Sequence, residues 1–223
     1  ITMFKDEAKI AGQLQHGNIA QIYNLGQQGD SFYIALEYVA GKDLRNIFTR
    51  CQQQGRPMPI AQACFVVMKI CEGLDYAHNK RDKHGRHLNI VHRDVSPPNI
   101  LVSYEGEVKL IDFGVAKAAG RVSRTQAGIL KGKFGYMSPE QYKDTSSVDA
   151  RTDVYAMALL LYYLITGKDY YPRANRVVKE PHKAYLERTQ KQRRSPPKMT
   201  PDSHIPSAVW RLIRLGLSYD PDY

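Results

Sequence analysis

Long apolar runs are missing from this 223-residue chain. The longest, Val154 to Ile165, is about half of what a bilayer-crossing helix needs and reads as a buried core helix. Cysteine is scarce too. Cys51, Cys64 and Cys71 form no even, regularly spaced set that would staple a secreted fold, and no C-x-x-C or Cys/His spacing offers a zinc site. The three thiols are expected to sit reduced in a cytoplasmic protein, with Cys64 and Cys71, seven apart in a helical period, on one buried face. No signal-peptide pattern opens the chain, because Ile1-Thr2-Met3-Phe4 runs straight into a charged amphipathic segment. A first residue other than Met is read as the mark of a fragment. Internal repeats and low-complexity tracts are also lacking, which sets aside solenoids and biased linkers. Acidic charge is in deficit: 32 basic against 22 acidic residues leave a net charge of +10, concentrated between Arg173 and Lys198. That asymmetry raises a nucleic-acid reading, weighed below.

What is present is ordinary for a globular protein, with 43% hydrophobic and 24% charged residues, enough for one large core or two modest lobes. Met3 to Leu14 has a helical period. Ala20 to Leu25 and Phe32 to Val39 are β-branched and aromatic runs flanking the turn-forming Gly26 to Asp30, which predicts an antiparallel hairpin. Helices are predicted at Leu44 to Gln53 and, after the Gly55-Arg56-Pro57 break, along Ala61, Cys64, Met68, Cys71, Leu74 and His78. Asn79 to Asn89 reads as a polar loop, and Ile100 to Ile111 as a second hairpin turning at Tyr104 to Glu107. Lys117 to Met137 lacks periodicity and is expected to be mobile. Thr152 to Thr166 carries no charge after Asp153 and stops at Gly167, so it is expected to be a central helical post. One helix is expected within Tyr171 to Pro206 and another at Ala208 to Leu217.

The chemistry concentrates in His92-Arg93-Asp94-Val95-Ser96-Pro97-Pro98-Asn99, then Asp112-Phe113-Gly114, then Ser138-Pro139-Glu140. Phosphoryl transfer needs a carboxylate near the acceptor hydroxyl and hard oxygen ligands for magnesium, and Asp94, Asn99 and Asp112 are of those types. An H-R-D-x-x-x-x-N loop, a hairpin, D-F-G and S-P-E in this order resemble the protein kinase signature set. His-Arg-Asp-Val-Ser-Pro, the run Leu130 to Met137 and the polar insert Arg81 to Asn89 resemble bacterial, myxobacterial-like Hanks-type serine/threonine kinases.

The resemblance implies an α+β, protein-kinase-like fold: a partial N-terminal β lobe and hinge over 1–40 and a mainly helical C-terminal lobe over 41–223. The catalytic loop would be 92–99 and the activation segment 112–140. It further implies ATP and Mg²⁺ as cofactors and protein substrates with Ser or Thr as partners. Asp94 would be the catalytic base, with Asn99 and Asp112 as metal ligands. Glu7 resembles the helix glutamate that pairs with the ATP-anchoring lysine. Leu36 resembles the gatekeeper, and Glu37-Tyr38-Val39 the hinge whose backbone meets adenine. Asp153 would steady the catalytic loop and Glu140 anchor the end of the activation segment. His92 is read as packed inside the lobe, Arg93 as a phosphate-binding type, and Ser123 and Thr125 as candidate phosphosites. Each has a plainer reading; Glu7 alone is an exposed helix carboxylate and Asp153 an N-terminal helix acid.

Two positions depart from the family pattern. Ser96 stands where lysine is usual and Lys133 where threonine is usual, so the pair is read as exchanged, with Lys133 supplying the ammonium near Asp94. The alternative is drift in a weak or dead enzyme. A glycine-rich loop and strand lysine before Glu7, and an arginine beyond Asp220-Pro221, are not in the 223 residues, so the chain is expected to be cut at both ends and incompetent alone. The first rival is a pseudokinase scaffold, disfavoured by the retained base and metal ligands. The second is a nucleic-acid binder on Arg173 to Lys198, disfavoured because only Tyr185 is interleaved and no reader motif matches.

Overall fold

The computed structural model describes residues 11–29, 31–56, 58–113, 135–143, 148–170 and 204–218. Most of the helix expected at Met3 to Leu14, residues 114–134 of the expected activation segment 112–140, and the basic stretch 171–203 lie outside them.

The first hairpin pairs β1 (Ile22–Gln28) with β2 (Ser31–Leu36) in antiparallel register from Ile22↔Leu36 to Gln28↔Ser31. The strands run closer to the turn than the glycine-rich sequence indicated. Gly26 continues β1 because it lies opposite Tyr33, whose ring occupies the space a Cβ would need. Past 37–40 the chain enters β3 (Gly41–Asp43), too short for any periodicity to reveal. β3 joins β4 (Ile100–Ser103) and β5 (Val108–Leu110) in an antiparallel sheet of order β3-β4-β5.

Asp43 then caps α1 (Leu44–Gln53), its side chain accepting the Asn46 N–H at 2.9 Å. In α2 (Ile60–His78) the buried stripe is Ala63, Val66, Ile70, Leu74 and Ala77, at steps of three and four. It is rotated about one residue from the expected stripe: Met68 is exposed, Cys64 half-buried and Cys71 exposed. Close approach explains the difference, since a Cβ on Gly73 would meet the Asn18 carbonyl at 3.1 Å, and this side of α2 must carry small residues.

A short α3 (Pro139–Lys143) precedes α4 (Ala150–Thr166), the most deeply buried helix, which Gly167 ends in the left-handed conformation at φ +71. Packed on α4 are α2 and α5 (Ser207–Gly216). Leu44, Phe48, Ile70, Ile100, Leu110, Leu160, Leu164 and Ile213 form the core around them.

Gly41 is a tight point of this arrangement. A Cβ there would overlap the Val102 carbonyl oxygen and sit 2.6 Å from the Ser103 Cα, both backbone atoms with nowhere to yield. Gly41→Ala is therefore expected to destabilise the domain by about 1–3 kcal/mol. Urea unfolding checks this, and an unchanged midpoint would contradict the β3–β4 packing.

Candidate active site

The β4–β5 hairpin is the platform. Its register pairs Ile100 with Leu110, and the Ile111 N–H extends the ladder by bonding the Asn99 carbonyl at 2.9 Å. Asn99, last residue of the 3₁₀ turn Pro97–Asn99, and Asp112 thus leave the open end of the hairpin on neighbouring strands. Asn99 is buried, and its Nδ2 donates to the Asp94 carbonyl at 2.8 Å, tying the loop 92–99 to the platform. Asp112 is exposed, at φ +63. Arg93 is likewise left-handed at φ +65, a conformation that costs a non-glycine residue about 1–3 kcal/mol and persists only where other bonds hold it.

Asp153 in α4 provides those bonds. Its carboxylate, with no solvent exposure, accepts the His92 N–H and the Arg93 N–H, each at 2.9 Å, and lies 2.8 Å from His78 Nε2 at the end of α2. His92 is also fully buried. Its Nδ1 accepts the Asp94 N–H at 3.2 Å, so Nε2 carries the proton and donates to the Ile111 carbonyl at 2.9 Å. Burial pushes the His92 pKa down, against the pull of the Asp153 charge and the Ile111 hydrogen bond; the neutral ring is the form this network requires. The ring meets Phe113 edge-on, with centroids 4.7 Å apart.

A second set of bonds runs through Ser138-Pro139-Glu140-Gln141. Gln141 Nε2 donates to the Arg93 carbonyl at 2.8 Å, and its oxygen accepts the Ser138 N–H at 2.9 Å. Thr152 Oγ1, one residue before Asp153, donates to Glu140 at 2.6 Å. Ser96 is buried, with Oγ 3.4 Å from the Asp94 carbonyl, so its hydroxyl faces the loop's own backbone.

On the hinge side, Leu36 lines a recess of about 10 Å³, room for one water, which Ala11, Ile22, Ile34, Asp112 and Phe113 also border. Val39 is half-buried and Tyr38 is 89% exposed. The Glu37 N–H bonds the Gln21 carbonyl at 2.8 Å, and its carboxylate is held by Lys109 Nζ at 2.7 Å and by the Gln21 N–H at 3.1 Å. Its side chain is therefore turned toward β5, leaving its own carbonyl as the polar group not committed to these bonds. Desolvation raises the Glu37 pKa, but the Lys109 hydrogen bond, the Gln21 N–H and the Lys109 charge outweigh it, so the carboxyl lies below its usual range.

Asp94, Ser96, Asn99 and Asp112 are thus brought together around one hairpin end, with Leu36 behind Asp112. Glu7, Lys133, Ser123 and Thr125 lie outside the described residues. The sequence reading missed His78, Gln141, Thr152 and Lys109. Only an i, i+1 polar step beside Asp153 could have pointed to Thr152; the others pair across long separations that no motif spacing encodes. For magnesium the donor chemistry fits: Asn99 Oδ1 and the Asp112 carboxylate are hard oxygens on adjacent strand ends. No group of three or more His, Cys, Asp or Glu side chains that could hold a metal forms among the described residues. Two protein oxygens completed by phosphate and water oxygens are the supply that magnesium favours.

A buried acid clamping an H-R-D loop beside a D-F-G strand end is an arrangement of the protein kinase class. The family model "Protein kinase domain" matches residues 2–223, and the chain belongs to that family. Among curated relatives it is 39% identical to "Tyrosine-protein kinase MasK" of Myxococcus xanthus over 175 residues, 78% of this chain and 27% of that protein. It is 39% identical to "Serine/threonine-protein kinase PknB" of Mycobacterium leprae over 170 residues, 74% of this chain and 25% of the relative. With "Serine/threonine-protein kinase PrkC" of Bacillus subtilis it shares 34% identity over 168 residues, 75% of this chain and 24% of the relative. The chain thus spans about a quarter of the length of these relatives.

Removing the Glu37 partner gives a pH-resolved test. A carboxyl whose folded pKa is depressed adds stability above its unfolded value, near 4.5, and loses it as pH falls through the folded value. Lys109→Met is expected to lower stability by about 1–3 kcal/mol at neutral pH, with the deficit shrinking as pH drops below 4.5. A deficit that stays constant across acid pH would show that the ion pair is not its source.

Proposed function

We propose that this domain transfers the γ-phosphoryl group of ATP to serine or threonine hydroxyls of protein substrates, with Mg²⁺ as cofactor, in a cytoplasmic setting. The observation that carries the reading is the Asp94–Asn99–Asp112 arrangement. The base candidate's carbonyl is fixed by one metal-ligand candidate, and that residue's carbonyl in turn accepts the N–H beside the other. A scaffold that only bound proteins would have no use for all three side chains in one place.

In this reading residues 1–40 supply the upper lobe and hinge, and 41–223 the lower lobe. Asp94 orients the acceptor hydroxyl and takes its proton as the oxygen attacks. Asn99, through Oδ1, and Asp112, through its carboxylate, are the metal ligands. Bound magnesium would offset the charge of the phosphates. Leu36 closes the recess behind the base-binding region, and the backbone at Glu37 and Val39 faces the nucleotide. Glu7 is the acid assigned to an ATP-anchoring lysine. Lys133 supplies the positive charge that Ser96, with its short buried side chain, does not. Acceptor proteins of acidic character match the net charge of +10, and nucleic acid is not part of the proposal.

Tyrosine is the second acceptor reading. The relative in Myxococcus xanthus carries the name of a tyrosine-protein kinase, at the same 39% identity as a serine/threonine-named one.

The test is transfer of labelled phosphate from ATP and magnesium by the full-length protein, followed by phosphoamino-acid analysis. Asp94→Asn is expected to lower kcat by about 10²-fold or more with the fold intact. Lys133→Ala is expected to lose about tenfold or more, part of which Ser96→Lys restores in the double variant. Label on tyrosine alone would move the assignment to the second reading. An Asp94→Asn protein as active as wild type would contradict the kinase mechanism itself.

A further inference from the structure

Between α2 and the catalytic loop the chain makes an exposed hairpin that none of the transfer roles uses. Arg81 and His87 form an antiparallel bridge, Leu88 N–H bonds the Lys80 carbonyl at 2.9 Å, and the Asp82 N–H bonds the Arg86 carbonyl at 2.9 Å. Asp82 organises the turn. Its Oδ1 accepts the His84 N–H at 2.8 Å and the Arg86 N–H at 3.0 Å, Oδ2 accepts Arg86 Nε at 2.8 Å, and Gly85 supplies the left-handed residue at φ +80. Arg81 Nη1 closes the far side on the Gly85 carbonyl at 2.7 Å.

None of residues 81–87 is buried. Ordering such a turn costs chain entropy and returns no apolar area to the core, so its bonds serve to present side chains. The side chains presented carry basic nitrogens: Arg81, Lys83, His84, Arg86 and His87 are all exposed. Asp82, the single acid among them, is consumed within the turn, and the hydrogen bonds from the Arg86 N–H and guanidinium hold its pKa down. Lys83, His84 and His87 have no side-chain partner among the described residues. Adjoining the hairpin is an open groove of about 590 Å³ that Lys80, Arg81, His16 and Tyr76 line. The groove also carries Glu72, which Lys69 Nζ pairs at 2.9 Å, and Asp75, which accepts Asn79 Nδ2 at 2.9 Å and keeps its charge, so the groove's share of the attraction rests on Lys80 and Arg81.

We propose that the hairpin Arg81 to His87 and the groove beside it form a docking site for an acidic segment of a partner protein, separate from the transfer site. Charge complementarity selects the partner. Residues 81–87 include no apolar side chain to enter a bilayer, so a lipid surface fits less well, and a strand of nucleic acid is the competing occupant that the test separates.

The experiment measures binding, not turnover, so its failure is separable from failure of the kinase reading. A fluorescein-labelled peptide of repeating Glu-Glu-Ala is titrated with the full-length protein and followed by anisotropy. Lys83→Ala/His84→Ala/His87→Ala is expected to weaken binding about tenfold, and Arg at all three positions to restore it. Phosphate transfer to a short uncharged peptide stays at the wild-type rate in the alanine variant, and Lys191→Ala/Arg193→Ala/Arg194→Ala, in the other basic run, binds the acidic peptide as wild type does. Absence of peptide binding, equal affinity of wild type and the hairpin variant, or failure of the arginine variant to rescue would each overturn the proposal. It is also overturned if the hairpin variant loses affinity for single-stranded RNA or phosphatidylserine vesicles while keeping it for the peptide.

Discussion

A carboxylate with no access to water holds this domain's working parts in place. Asp153 sits one residue beyond Thr152 near the start of α4, the helix on which both α2 and α5 pack. An isolated charge at such depth would cost several kcal/mol, roughly, and three polar hydrogens offset that cost: the His92 and Arg93 amides and the His78 ring N–H. Two of the three come from consecutive amides of a loop whose second residue is left-handed. The strained conformation of Arg93 and the buried charge of Asp153 therefore compensate each other. The bonds also close on themselves. Asp153 holds the Arg93 amide, the Arg93 carbonyl accepts Gln141, and Glu140 accepts Thr152, which brings the path back to α4.

From that ring the network continues through one imidazole toward Asp94 and the strand that leads to Asp112. His92 accepts the Asp94 amide on one nitrogen and donates to the Ile111 carbonyl with the other, so the catalytic loop and the strand leading to Asp112 are spaced by a single rigid ring. Phe113 packs on the edge of that ring and also borders the recess behind Leu36. Lys109 of the same strand reaches the Glu37 carboxylate on the hinge side. One short strand, β5 with its extension, thus contacts the loop bearing Asp94, leads into Asp112 and reaches Glu37. A shift of that strand would move all three together, which is the economy a site needing sub-ångström placement requires.

Much of this was legible because it is local. Leu44 to Gln53 is legible as a helix from its period and the Gly55-Arg56-Pro57 break, with the bounds observed. Ile100 to Ile111 was legible as a hairpin from its Gly106-centred turn. The motif residues pointed to the family because their order and spacing along the chain are diagnostic, and the family model matches residues 2–223. The face of α2 was misjudged by about one residue, because Met68 and Cys71 look more suited to a core than Ala63 and Ala77, while close packing against Asn18 selects the small residues. β3 escaped because three residues carry no period. The ion pair of Glu37 with Lys109 and the bond from Gln141 to Arg93 escaped because their partners are 72 and 48 positions apart, and pairing at that distance is a product of the fold.

The proposed function divides the carboxylates: Asp112 would serve the metal and the phosphates, Asp94 the acceptor hydroxyl. The most direct test is calorimetric titration of ATP, with and without magnesium, into the full-length protein and its Asp112→Asn and Asp94→Asn variants. The account predicts magnesium-dependent binding that Asp112→Asn abolishes and Asp94→Asn retains. Equal magnesium-dependent affinity in all three proteins would contradict it, because the strand end beside Asn99 would then not be where the metal is held.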